Sequence, residues 1–131
     1  MNCELVDTNT DDDELKDILN STKSIAIIGC SPDERKDSYK VAKYLLDAGY
    51  TIYPVYPKED TILGQKVYRS LIDIPHKVDM VDIFRKPKVI DEIVKSCIKR
   101  GDIDVVWSQI GLVNNEAMKK AREHNIKTVQ N

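Results

Sequence analysis

The segment Ser24-Ile25-Ala26-Ile27-Ile28-Gly29-Cys30-Ser31-Pro32 constrains the fold more than any other part of the chain. A short β-branched run ends in a Gly-x-Ser turn, and an amphipathic segment, Tyr39 to Ala48, follows after a polar loop. A strand, a tight turn and a helix in that order present backbone N–H groups to a phosphate. The next strand, Thr51 to Val55, ends in Tyr56-Pro57-Lys58. A site for NAD usually carries Asp or Glu at that strand end, where it accepts hydrogen bonds from the ribose hydroxyls. Here the position offers a cation. A cation suits a ribose that bears a phosphate, which fits coenzyme A or NADP better than NAD.

The rest of the chain repeats the alternation. Thr10 with Asp13 is expected to cap a short helix whose apolar stripe is Leu15, Ile18 and Leu19. In the helix after the first strand, Val41, Ala42, Leu45 and Leu46 share a face and Gly49 reads as the stop. Asp60 to Gly64 reads as a loop, Gln65 to Tyr68 as a short strand, and Ser70-Leu71 as the start of a turn towards Pro75. Asp79 to Phe84 is the next strand. Pro87 then suits a first helical turn, and Val89, Ile90, Ile93, Val94, Cys97 and Ile98 keep helical period until Gly101. Asp104 to Trp107 reads as a strand, Asn114 as the cap of a helix carrying Ala117, Met118 and Ala121, and Ile126 to Val129 as the last strand. Strands alternating with helices, with connections long enough for right-handed crossovers, predict an α/β fold with a parallel sheet covered on both faces. Residues 1–23 are expected to form an arm and short helix, and 24–131 a single domain.

The 131 residues suffice for one core, and the net charge of −2 spreads 20 Lys and Arg among 22 Asp and Glu. No basic run suggests nucleic acid as a partner, and no apolar run approaches the ~20 residues of a membrane span. The acidic N-terminus does not read as a secretory signal, so cytoplasmic residence is expected. Cys3, Cys30 and Cys97 have neither disulfide-framework nor metal-ligand spacing. Cys97 falls on an apolar helix face. Cys30 lies in the phosphate turn, either as a small residue that fits there or as a thiol able to form a mixed disulfide.

In such a sheet, ligands bind outside the carboxyl ends of the strands. Those ends offer Gly29, Cys30 and Ser31; Tyr56, Pro57 and Lys58; Phe84, Arg85 and Lys86; and Gln109 and Gly111. They hold three cations and no carboxylate, which suits an anionic ligand with an apolar part. Gly29 can admit a phosphate because it lacks a Cβ, and Ser31 can add a hydroxyl. The full GxGxxG fingerprint is absent, with Pro32 in place of a further glycine. Lys58 is either a partner for a ribose phosphate or a solvated lysine. Arg85 stands at the rim or pairs with Asp82 or another carboxylate. Tyr39 caps the pocket or packs, Trp107 reads as core, and Gln109 could read an adenine or amide edge. His76 and His124 read as surface residues, and the Asp11–Glu14 run as an acidic helix start. No nucleophile has an evident base and no metal-ligand spacing occurs, so no catalytic residue or metal is expected.

Several ordered segments carry a resemblance. They are Ile-Gly-Cys-Ser-Pro (28–32), Asp-Ser-Tyr-Lys-Val-Ala-Lys-Tyr-Leu (37–45), Tyr-Pro-Val-Tyr-Pro-Lys (53–58), Ile-Leu-Gly (62–64), Val-Asp-Ile-Phe-Arg (81–85) and Val-Trp-Ser-Gln-Ile-Gly (106–111). From Ser24 to Val129 the chain resembles the stand-alone CoA-binding domain proteins, which are similar to the nucleotide-binding half of the succinyl-CoA synthetase α subunit. The resemblance implies a three-layer, Rossmann-like fold and a non-catalytic module for coenzyme A or an acyl-CoA. It would put Gly29 and Ser31 on the phosphates, with Cys30 in the same turn and Arg35, Ser38 and Tyr39 in the loop and helix start beside them. Val55, Pro57 and Lys58 would face the adenosine, with Lys58 near the 3′-phosphate. Phe84 and Arg85 would form the opposite wall, closed by Gln109 and Gly111. Tyr56 replaces a common Asn of the family, and the Asp33–Asp37 loop is unusually charged. Neither His76 nor His124 matches the phosphorylated histidine of the synthetase's second domain, so the resemblance implies binding and not ligation. A homodimer is compatible with such a domain. An NADP-dependent oxidoreductase and an interaction module with a decayed nucleotide site are the competing readings.

Overall fold

A computed structural model describes residues 12–109 and 114–130. The order is α1 (Asp12–Ser21), β1 (Ser24–Ile28), α2 (Asp37–Asp47), β2 (Thr51–Val55), β3 (Thr61–Ile62) and β4 (Gln65–Lys66). A 3-10 turn at Leu71–Asp73 precedes β5 (Met80–Ile83), α3 (Pro87–Arg100), β6 (Val105–Ser108), α4 (Asn115–Glu123) and β7 (Lys127–Gln130). Five strands form one parallel sheet in the order β2-β1-β5-β6-β7. A parallel bridge between Val55 and Tyr68 adds the trace of a sixth strand outside β2. Counted with that trace, the strands run 3-2-1-4-5-6, the order of dinucleotide-binding folds. The expected α/β Rossmann-like architecture is therefore the observed one.

The period-2 alternation of each strand feeds two separate cores. Ile25 and Ile27 of β1, Met80 of β5 and Val105 of β6 bury against Ile18 of α1 and Ala42 of α2. Ala26, Val81, Ile83 and Val106 bury on the other face against Ile90, Val94 and Cys97 of α3 and Met118 of α4. β1 has no exposed residue, as its uninterrupted apolar run predicts. Full burial of each such Ile or Val stabilises the fold by roughly 1.5–3 kcal/mol.

The helix punctuation agrees with the sequence at α3 and α4. Pro87 opens α3, and Gly101, with φ at 78°, closes it through an N–H···O bond to Cys97 of 3.2 Å. Asn114 caps α4, its Oδ1 accepting from the Ala117 N–H at 3.1 Å. At the C-terminal end of α3, Arg100 donates to the carbonyls of Leu71, Ile74 and His76 at 2.7–2.8 Å and pairs with Asp102. That clamp fixes the 71–76 segment, whose Leu71 forms part of the site described next.

Candidate functional site

The strand order reverses between β1 and β5, and the chain there is tightly packed. Gly29 and Cys30 both donate their N–H groups to the Val55 carbonyl, at 2.9 and 3.2 Å, while Phe84 N–H donates to Ile28 O at 2.8 Å. Gly29 has φ +85°, and a Cβ there would lie 2.8 Å from the Phe84 carbonyl oxygen and 3.0 Å from Arg85 Cδ. Its close approach is thus to β5, a packing demand that exists without any ligand.

Hydroxyls hold the turn that follows. Ser38 Oγ, buried at the start of α2, accepts from Ser31 N–H at 2.9 Å. Ser31 Oγ accepts from Asp33 N–H at 3.0 Å. No side chain caps the Lys36 position, and the first N–H groups of any helix have no intrahelical acceptor. The head of α2 is therefore a region of positive potential. It opens on a cavity of about 390 Å³ lined by Gly29, Ser31, Lys36, Asp37, Ser38, Tyr56 and Phe84. Arg35 lies in the adjoining loop with its side chain 89% exposed, where its guanidinium pairs with Asp33 at 3.0–3.1 Å. That pairing holds the Asp33 carboxyl below the usual carboxylate range.

A second cavity of about 250 Å³ lies on the other flank of the β1 end. Its apolar floor is Ile28, Val55, Leu71, Val89 and Ile93, and Arg69, Arg85, Glu92, Ser70 and Ser96 complete the lining. The two cavities share no residue, but Gly29 and Ile28 are consecutive, as are Phe84 and Arg85. They are neighbouring compartments across one ridge: the first a helix head with serines, Lys36 and Asp37, the second an apolar floor with two arginines and Glu92.

The other expected site residues fall into three groups. Val55 is buried at the second cavity, while Pro57 and Lys58 stand exposed on the turn after β2. Tyr39 is half-buried and packs, with Trp107, against the α1–α2 core. Gln109 donates from Nε2 to the Asp82 carboxylate. Gly111 and Cys3 lie outside the described residues. Cys30 is fully buried, and burial pushes its thiol up to about 11, so it is a neutral group packed under the turn.

The strand ends themselves carry no carboxylate, but Asp82 sits one residue before the end of β5, and Glu92 on α3 lines the second cavity. Arg85 does not pair with Asp82, because Asp82 faces Gln109 across the β5–β6 pairing. Burial raises the Asp82 carboxyl to about 7, against the lowering effect of the Gln109 hydrogen bond. Sequence reasoning also passed over Lys36, Arg69 and Glu92. Lys36 lies in the charged Asp33–Asp37 loop, three residues ahead of the amphipathic segment, so its place just before α2 carries little signal of its own. Arg69 and Glu92 leave no local signal, since their place at the site depends on how the 56–71 excursion and α3 pack. Among the described residues no group of three or more His, Cys, Asp or Glu could hold a metal ion. Nor is any helix among them long and apolar enough to cross a membrane.

Residues 23–131 match the model of a family described as CoA binding domain. An uncharacterized protein of Bacillus subtilis, YneT, is 38% identical over 110 residues, which are 84% of this chain and 81% of that protein. The ADP-forming acetate–CoA ligase of Methanocaldococcus jannaschii is 34% identical over 125 residues, 90% of this chain but only 18% of the ligase. A solved structure of a hypothetical protein from Pyrococcus horikoshii superposes with a TM-score of 0.90 at 43% identity, covering all of this chain and 92% of that one.

Proposed function

The chain belongs to the CoA-binding domain family, and we propose that it is a non-catalytic module that binds coenzyme A or an acyl-CoA. The observation that carries this reading is the pair of compartments flanking the end of β1. The uncapped head of α2 with Ser31 and Lys36 suits a pyrophosphate. The apolar floor beside Arg85 suits a planar base attached to a phosphorylated ribose. Lys58, exposed on the turn after β2, adds a further cation for the 3′-phosphate. Gly29, Cys30 and Phe84 shape the ridge, Ser38 and Tyr39 hold the turn and helix start, and Gln109 closes the β6 side. Arg35 is assigned to holding the loop through Asp33.

The reading stops at binding. Cys30 is buried and neutral, and Asp82, the described carboxyl with its pKa moved towards neutrality, is covered and bonded to Gln109. The chain spans 18% of the acetate–CoA ligase it resembles, and ligation of acetate belongs to that protein.

Lys58→Ala tests the reading at one residue. A charge-assisted contact is worth roughly 1.5–3 kcal/mol, so CoA affinity should fall by about 10- to 150-fold. Affinity for 3′-dephospho-CoA should stay unchanged. Equal losses for the two ligands in calorimetry would remove Lys58 from the 3′-phosphate.

A further inference from the structure

Arg69 belongs to no expected site, yet it makes the densest set of contacts near the Lys58 turn. Its Nη1 donates to the carbonyl oxygens of Tyr56 at 3.1 Å, Lys58 at 2.9 Å and Glu59 at 2.9 Å. One nitrogen with two hydrogens thus gathers three carbonyls, and the turn curls around it. The root of the excursion is tied separately: Tyr56 N–H donates to Tyr68 O at 3.0 Å, and Tyr68 N–H to Pro54 O at 2.9 Å. Arg69 follows Tyr68 directly, so its backbone is anchored to the sheet edge while its guanidinium holds the turn.

The turn needs holding. Glu59 has φ at 69°, a left-handed conformation that an L-residue adopts only at a cost. Pro57 fixes φ on the other side of Lys58. With its own carbonyl and those of Tyr56 and Glu59 gathered on one guanidinium, Lys58 projects from a fixed origin. Arg69 also lines the apolar cavity that holds Arg85, so the turn is registered to that compartment.

We propose that Arg69 is a positioning residue that sets the site's preference for a phosphorylated ribose, by holding the 56–59 turn so that Lys58 meets the phosphate. The inference rests on the CoA reading and deepens it. A direct salt bridge from Arg69 to the phosphate is the alternative, and a double-mutant cycle separates the two, because residues acting through one another are not additive.

The experiment measures affinity for CoA and 3′-dephospho-CoA in the wild type, Arg69→Ala, Lys58→Ala and the double variant. Arg69→Ala should weaken CoA by about tenfold and leave 3′-dephospho-CoA within about twofold. Added to Lys58→Ala, it should cost less than about twofold more. Arg69→Gln, whose shorter amide cannot gather all three carbonyls, should fall between wild type and Arg69→Ala, and thermal midpoints identify any variant that fails to fold. Additive losses, or equal losses for both ligands, would overturn the positioning role. A wild type that binds CoA and 3′-dephospho-CoA equally well would overturn it too, while leaving the CoA reading in place. A wild type that binds neither would end both.

Discussion

Asp82 is the buried carboxyl whose surroundings bear most directly on stability. It lies in register with Ile27 of β1 and Trp107 of β6, both part of the α1–α2 core. Burial raises its pKa from 3.8 to about 7, with Gln109 and the Ile83 N–H pulling the other way. Between those values the native state keeps a proton that the unfolded chain releases, so native stability should fall as pH rises through the window. The depressed carboxyls of Asp33, Asp79, Asp91 and Asp102 act in the opposite sense, below 3.8. Urea unfolding from pH 4 to pH 7 should therefore show a decline that Asp82→Asn flattens, since Asn can still accept from Gln109. An equal slope in the variant would show that the decline does not come from Asp82. This pair was illegible in the sequence for a simple reason. Asp82 and Gln109 are 27 positions apart, and only the β5–β6 register brings them together.

At the scale of elements, the turn between β1 and α2 is constrained by the end of β5. The sequence puts Gly29 at a phosphate, and the constraint visible in the structure is the Phe84 carbonyl. Gly29→Ala should destabilise the protein by roughly 1–3 kcal/mol from the left-handed backbone alone. The contact at 2.8 Å adds to that cost, because β5 must shift to relieve it. A drop in the urea midpoint is the readout, and an unchanged midpoint would mean that the turn relaxes freely. The bounds of β1, β2 and α3 were readable because apolar period, Pro and Gly all agree there. α2 begins two residues ahead of the amphipathic segment read from Tyr39, since Asp37 and Ser38 leave no hydrophobic mark and Ser38 serves the turn. The β3–β4 hairpin was read partly as loop. Its two-residue turn, Leu63 and Gly64, has φ of 54° and 74°, and Leu in a left-handed position is a poor signal for that turn. The excursion from Tyr56 to Leu71 is where local patterns run out, and it holds Arg69.

At the scale of the whole molecule, two apolar cores fix one parallel sheet, and the reversal of strand order leaves two compartments at its carboxyl edge. The alternation of elements made that architecture legible, and the motif order made the family legible. Neither disclosed how the site divides into a helix-head half and an arginine-lined half, because that division comes from packing β1 against β5. The central claim is that this edge recognises coenzyme A through both halves at once. Calorimetric titration of the wild-type protein with CoA, 3′-dephospho-CoA and NADP in parallel tests it most directly. The account predicts saturable binding of CoA at one site, weaker binding of 3′-dephospho-CoA, and none of NADP. Preference for NADP, or no heat from any of the three with protein unfolded and refolded to strip retained ligand, would contradict it.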